Sequence, residues 1–342
     1  MIWLTWRQYR ARFLIGLGGA GLLAAWLLRL GLTMRHTYAR EVADCLVADG
    51  CDRATAATLF AGRYQSPVIL CSLLLMAVPL LLGLFWGAPL VAQEREAGTH
   101  QLVWTQSVSR TGWLAVKLGV TLGLATALSG TLSLLLTWAA SRYDEVTGER
   151  FGAVAFASRN LAPLGYTVFA VALGVLLGVV LRRVVPAMAL TFALAAVVGV
   201  LLPTAIRPHL QTPLTLEEPF TAEFRSRGRG LALQRDEAAP VIVMGYSTPG
   251  ALVLDDVAPL RTASGEELLS GDASHCVGLG RLDPTGADGP DSFEQCLIDM
   301  DLHVAVRYQP AERYWTFQWM ETSLLVAAGL AMSLASWWLV GR

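Results

Sequence analysis

"APLGYTVFAVALGVLLGVVLRRVVPAMALTFALAAVVGVLLPTAI", residues 162–206, contains two apolar runs of about 20 residues separated only by Arg182 and Arg183. A run of that length without charge crosses a hydrocarbon core of roughly 30 Å as a helix. Two such runs joined by a pair of arginines make a transmembrane hairpin whose turn stays at one face. Four more runs of the same kind lie outward from it, at residues 13–33, 68–92, 114–140 and 322–340. Arg29 and Lys117 sit near run ends, where a long side chain can snorkel to the headgroups. Pro79, Pro89, Pro186 and the many glycines read as kinks and close packing, ordinary in membrane spans.

Composition points the same way. Hydrophobic residues make up 54% of the 342, charged residues 15%, and the mean hydropathy is +0.49, which excludes an ordinary soluble enzyme. The net charge is -1 and Lys117 is the one lysine. With no basic tract to follow a phosphate backbone, nucleic acid is not an expected partner, whereas membrane lipids are.

Short loops set orientation. Arg7, Arg10 and Arg12 precede the first span, Arg95, Arg110 and Lys117 surround the second connection, and Arg182 and Arg183 fill the fourth. This places the N- and C-termini in the cytoplasm and sends residues 34–67, 141–161 and 207–314 to the other side. The cysteines agree: Cys71 falls in a span as a small buried hydrophobe, while Cys45, Cys51, Cys276 and Cys296 all fall on the outer side. An oxidising exterior suits two local disulfides, with cross-pairing between the two loops left open. No pair has C-x-x-C spacing, so no metal is expected.

Residues 1–12 repeat Ile2, Trp6, Tyr9 and Phe13 near helical spacing, with arginines between. This reads as an interfacial helix, or else as a basic flank of the first span. Residues 207–314 differ in texture. Pro, Gly, Asp and Glu separate short runs such as "APVIVMGY", "ALVLDDV" and "DLHVAVRYQ", predicting a mixed α/β extracytoplasmic domain. Residues 13–206 then hold spans one to five, with a connection at 93–112, and residues 315–342 hold the last span and the C-terminus.

Catalytic motifs are missing. No P-loop is present, because Lys117 lies in "LAVKLGV" without the preceding glycines. None of the 5 histidines lies inside a predicted span, and there is no H-E-x-x-H. Glu217/Glu218 and Asp255/Asp256 are the outer-side acid pairs that an enzyme reading would need.

The connection "LVAQEREAGTHQLVWTQSVSRTGW", residues 90–113, carries Glu94, Arg95 and Glu96 in a row. Consecutive residues on a helix cannot face one another, so the three fan out toward separate partners. Gly98 is placed to end that helix in a left-handed cap, Thr99 to open a short lateral helix over "HQLVWTQS", and Ser107 or Ser109 to cap the third span at Arg110. Leu102, Val103 and Trp104 give that lateral helix an apolar face for a groove on another protein. Read as exposed charges, Glu94 and Glu96 are worth little to stability.

At these residues the chain resembles the membrane subunit of ABC-2 type transporters. The shared pattern is E-x-E-x-G-T, then "SR", then a lysine, carried here by Glu94, Glu96, Gly98, Thr99, Ser109, Arg110 and Lys117. It is similar in particular to actinobacterial permeases carrying "YQPAxRYWxFQWxE", here "YQPAERYWTFQWME", residues 308–321. The resemblance implies an all-α polytopic membrane protein of six spans, the ABC-2 exporter fold, with its insertion between helices 5 and 6, in the bacterial plasma membrane. It implies a permease paired with a second copy or a sister permease and with two ATP-binding subunits. ATP and Mg would be bound by those partners and no cofactor by this chain. Glu94, Arg95, Glu96, Gly98, Thr99, Leu102, Trp104, Ser109 and Arg110 would form the coupling element that docks the ATPase. Sparse polar residues in the spans favour export of an amphipathic or lipidic molecule. A lipid-modifying membrane enzyme and a ligand-sensing or immunity subunit are the alternatives.

Overall fold

The computed structural model describes residues 2–46, 53–98, 109–226, 230–233, 236–279 and 290–342. It divides into two compact units, residues 1–210 with 314–342, and residues 211–313. Six of the described helical stretches are long and apolar enough to cross a membrane, beginning at Phe13, Thr55, Arg110, Ala162, Val184 and Ala311.

The helical unit is built from α1 (Ile2–Tyr38), α2 (Arg53–Leu82), α3 (Pro89–Glu96), α4 (Arg110–Thr147), α5 (Ala153–Ser158), α6 (Ala162–Leu181), α7 (Val184–Leu201) and, after the insertion, α11 (Tyr314–Gly341). Two boundaries differ from the sequence reading. The segment before Phe13 is not a separate helix: α1 runs unbroken from Ile2, because no proline or glycine interrupts the chain before Gly16. The outer loop expected at 34–67 is largely helical, since α2 begins at Arg53 and carries Pro67 within it. A helix does not have to end where the bilayer does, so hydropathy alone underestimates it.

α6 lies at the centre and packs against α2, α3, α4, α7 and α11. Its crossing with the second span is made by glycines. Pro89 has no N–H to offer the carbonyl one turn back, and the ladder widens there into a π-turn over Gly83–Gly87, with Ala88 N bonding Gly83 O at 2.9 Å. Gly83 and Gly87 face Gly174 and Gly178 of α6. A β-carbon at Gly83 would lie 2.6 Å from the Ala170 carbonyl oxygen, and one at Gly178 would lie 2.5 Å from that of Ala88. Two small-xxx-small patterns therefore bring backbone against backbone, the usual device where lipid removes the hydrophobic drive for helix association. Around this crossing Phe13, Trp86, Leu90, Trp113, Val171 and Val175 form one buried cluster. Farther along the bundle Leu27, Met34, Phe60, Cys71, Leu132 and Tyr143 form another. Cys71 is buried and free, as its place in a span predicts.

The second unit is a sheet with short helices. Its strands are β1 (Leu214–Pro219), β2 (Gly230–Ala232), β3 (Ile242–Met244), β4 (Leu252–Val253), β5 (Val257–Arg261) and β6 (His303–Gln309). The order is β1-β6-β5-β3-β2, with β4 also on β6, and every pairing is antiparallel. α8 (Ala222–Ser226), α9 (Ser274–Leu279) and α10 (Pro290–Ile298) accompany it. Inward residues of β3, β5 and β6, namely Val243, Ala258, Leu260, Val304 and Val306, pack with Phe220, Phe224 and Leu297. The first and last of the three apolar runs, which resemble strands in sequence, supply β3 and β6, while the middle run holds β4 and only the first residue of β5. β1 was not foreseen: "LTLEEP" holds two acids and a proline, tolerated because β1 is an edge strand.

Candidate functional site

The charged turn of α3 binds three other helices. Glu94 pairs with Lys117 of α4, and both are buried, at 8% and 2% exposure. Lys117 does not snorkel: its ammonium sits 4.4 Å from the centre of the Trp113 ring and is held by the carboxylate. Arg95 donates from Nη1 to the Val179 carbonyl near the C-terminal end of α6, 3.0 Å away. Glu96 Oε2 accepts from Val184 N, the first amide of α7, at 2.9 Å. The signs suit the helix ends they meet, a cation at a C-terminus and an anion at an N-terminus. The fan of three charges is therefore real. Glu96 is exposed as expected, whereas Glu94 is buried, and its burial depends on a lysine 23 positions away.

The caps follow the backbone chemistry. α3 ends with Ala97 N on Gln93 O at 3.0 Å, and Gly98 turns left-handed at φ +69°. Ser109 caps α4 by accepting from Gly112 N at 3.2 Å, directly before Arg110, the first residue of α4. Thr99, Leu102 and Trp104, with the lateral helix expected over them, lie outside the described residues.

A second buried cluster belongs to the motif before the last span, residues 308–321. Arg207 holds Glu321 through Nε at 2.9 Å and Nη2 at 3.1 Å, and Tyr166 OH donates to the same carboxylate at 2.8 Å. The Arg207 guanidinium lies 3.9 Å from the Phe156 ring centre. One turn back, Gln318 Oε1 accepts from Leu161 N and Ala162 N at 3.2 and 2.9 Å, capping α6 from another helix. Asn160, left-handed at φ 56°, donates to Tyr314 OH at 2.7 Å. Tyr314, Gln318 and Glu321 thus form one inward stripe of α11 at i, i+4 and i+7, with Trp315 and Trp319 exposed on the other side. The signal was available: one acid and one arginine remain at the ends of otherwise apolar runs, where a charge needs a partner.

Tyr166 also lines a cavity of about 280 Å³ between α2, α6 and α7, whose other walls include Leu73, Met76, Leu80, Phe169 and Val200. The phenol is one of its few polar edges. In the sheet unit the acid pairs do not converge. Glu217 and Glu218 are neighbours on β1, so their side chains leave opposite faces, with Glu218 accepting from Tyr246 OH at 3.2 Å. Asp255 accepts from Arg307 N at 2.8 Å and Nη2 at 2.7 Å. Burial would raise the Asp255 carboxyl, but the hydrogen bonds and charge of Arg307 outweigh that and hold it below its ordinary value.

The cysteines resolve as follows. Cys276 and Cys296 are joined, which removes cross-pairing between the loops for these two. Cys45 is also disulfide-bonded, and Cys51 lies outside the described residues.

A family model described as "ABC-2 membrane transporter related" matches residues 17–207, more than half of the chain. No curated protein and no solved structure matches.

Proposed function

The chain belongs to the ABC-2 membrane transporter related family and is a multi-pass transporter permease subunit of a system with an ATPase partner; from this premise we propose that it exports an amphipathic or lipidic molecule across a bacterial plasma membrane. Two copies of a separate ATP-binding subunit supply the energy, binding ATP and Mg themselves, and a second permease copy or sister subunit completes the complex. This chain carries out no hydrolysis.

The observation that carries the reading is the three-way attachment of α3. Glu94, Arg95 and Glu96 tie one short helix to α4, α6 and α7. α3 is therefore one arm of a lever whose other arm is the wall of the cavity, since α6 and α7 both line it. An ATPase docked at residues 93–112 would move those walls by moving α3. The apolar lining supports a lipid-like cargo. Arg95 and the Arg182–Arg183 turn lie at one end of the bundle, which supports a cytoplasmic position for that end and for both termini. The Cys276–Cys296 disulfide supports an oxidising medium for the sheet unit.

The test is reconstitution of the permease with its ATPase partner in liposomes, reading ATP hydrolysis and movement of a fluorescent amphiphile together. Glu96→Ala removes the tie to α7 while leaving a surface position otherwise intact. Hydrolysis is expected to persist while transport falls steeply. Unchanged transport would show that α3 is an anchor and not a lever.

A further inference from the structure

His275, Cys276 and Cys296 bring their ligand atoms within 4.8 Å of one another, and the transport reading uses none of them. His275 Nδ1 lies 2.5 Å from the Asp272 carbonyl oxygen. A carbonyl only accepts, so Nδ1 carries the hydrogen and Nε2 of the neutral ring keeps its lone pair. Nε2 lies 3.5 Å from Cys276 Sγ. Fixing one ring nitrogen on a backbone carbonyl is how metal-binding histidines are oriented. Tetrahedral ligands at about 2.3 Å for sulfur and about 2.0 Å for nitrogen are themselves about 3.5 Å apart. The imidazole thus stands at ligand distance from a sulfur before any metal arrives.

We propose that the reduced Cys276–Cys296 pair and His275 form a three-ligand site for a soft divalent cation, Zn2+ or its chemical relative Cd2+, so that disulfide and metal are alternative occupants of one place. Cys276 is fully buried, whereas Cys296 is partly exposed and His275 exposed. The site therefore opens on the side of His275 and Cys296. Entry of the metal requires two-electron reduction of the disulfide, as by a dithiol. One of its thiolates attacks Cys296 Sγ, and Cys276 leaves as a thiolate. The second thiol of the reductant then displaces Cys296, so that two electrons pass to the cysteines and the reductant becomes the disulfide. Binding of the cation displaces the two thiol protons. Three protein donors leave a fourth position open to water.

The test uses the full chain in detergent micelles, reduced with a phosphine under anaerobic conditions and titrated with Cd2+. Thiolate-to-cadmium absorbance is read against Cys276→Ser/Cys296→Ser, which subtracts the thiols of Cys45, Cys51 and Cys71. One equivalent of extra cadmium is expected in the reduced protein and none in the oxidised protein. His275→Ala, at an exposed position, is expected to bind at least about tenfold more weakly. Alkylation of Cys296 serves as a second reading that holds even if reduction loosens the fold: Zn2+ should slow it in the wild type and not in His275→Ala. Equal cadmium uptake by wild type and the double-serine variant would overturn the proposal. So would indifference of both readings to His275→Ala, which would leave an ordinary structural disulfide.

Discussion

Two of the buried ion pairs in the helical unit are of opposite character. Arg207 and Glu321 are 1% and 0% exposed, and the carboxylate is gripped by both arms of a planar guanidinium and by the Tyr166 hydroxyl. Glu94 meets instead an ammonium on a four-carbon stem, at the base of a helix that ends in a left-handed glycine. Arginine's rigid fork fixes direction as well as distance, while a lysine ammonium keeps its attraction through rotations of the stem. The first pair is suited to locking α7's end, α6 and α11 together. The second is suited to holding α3 on α4 while α3 changes its angle. Of these two pairs, one thus serves rigidity and the other retained attachment.

The lock should be the most costly to break. Glu321→Ala leaves Arg207 charged and buried, a loss of about 3–5 kcal/mol, to be read as a drop in the thermal unfolding temperature of the purified chain in micelles. Arg207→Met/Glu321→Leu should recover much of it, because removing both charges also removes their desolvation. A double variant as damaged as the single would mean that shape, and not charge, holds this end.

Glu94→Gln comes next. The buried Lys117 ammonium loses its counter-charge but keeps a hydrogen bond to the amide oxygen, so the loss is smaller, about 1.5–3 kcal/mol. Transport should fall more than ATP hydrolysis. A stability loss equal to that of Glu321→Ala would erase the contrast between lock and attachment.

How much of this was readable beforehand depends on distance along the chain. The spans are legible because twenty apolar residues have few other fates, and the Gly98 and Ser109 caps because cap chemistry is local. The outward fan of Glu94, Arg95 and Glu96 follows from helix geometry, but their partners do not. Lys117, Val179 and Val184 come from other helices, and nothing within residues 90–113 selects them. The unbroken α1 was missed because an interfacial helix and an overlong span share one local periodicity. The Arg207–Glu321 pair joins residues 114 positions apart.

Gly98→Val has a smaller expected cost. Nothing lies within 4 Å of a β-carbon built there, so the loss comes from the positive φ of +69° alone, about 1–2 kcal/mol for an L side chain. Gly98→Asn should be nearly neutral, since asparagine adopts the left-handed region readily. If the turn sets the angle at which the connection leaves α3, valine should reduce transport at nearly normal hydrolysis and asparagine should restore it. Equal transport by both would remove Gly98 from the lever.

The smallest effect belongs to Asp255 and Arg307, an ion pair of the sheet unit in which the arginine is 61% exposed, so water screens what the buried pairs keep. Its use lies in its pH signature. Arg307 holds the Asp255 carboxyl below its ordinary value, so the pair's contribution is complete above the unfolded-state pKa. It is lost as pH falls through the lower folded-state pKa. The protection of the amides of β6, where Arg307 N and O bond Asp255 and Leu254, taken relative to their intrinsic exchange rate at each pH, should therefore fall on acidification in the full-length protein. Asp255→Asn removes the titrating group: protection should be slightly lower at neutral pH and lose that acid limb. Parallel profiles for wild type and variant from neutral to acid would assign the acid sensitivity to another carboxylate, and would leave burial, not pairing, as what separates the strong ion pairs of this chain from the weak one.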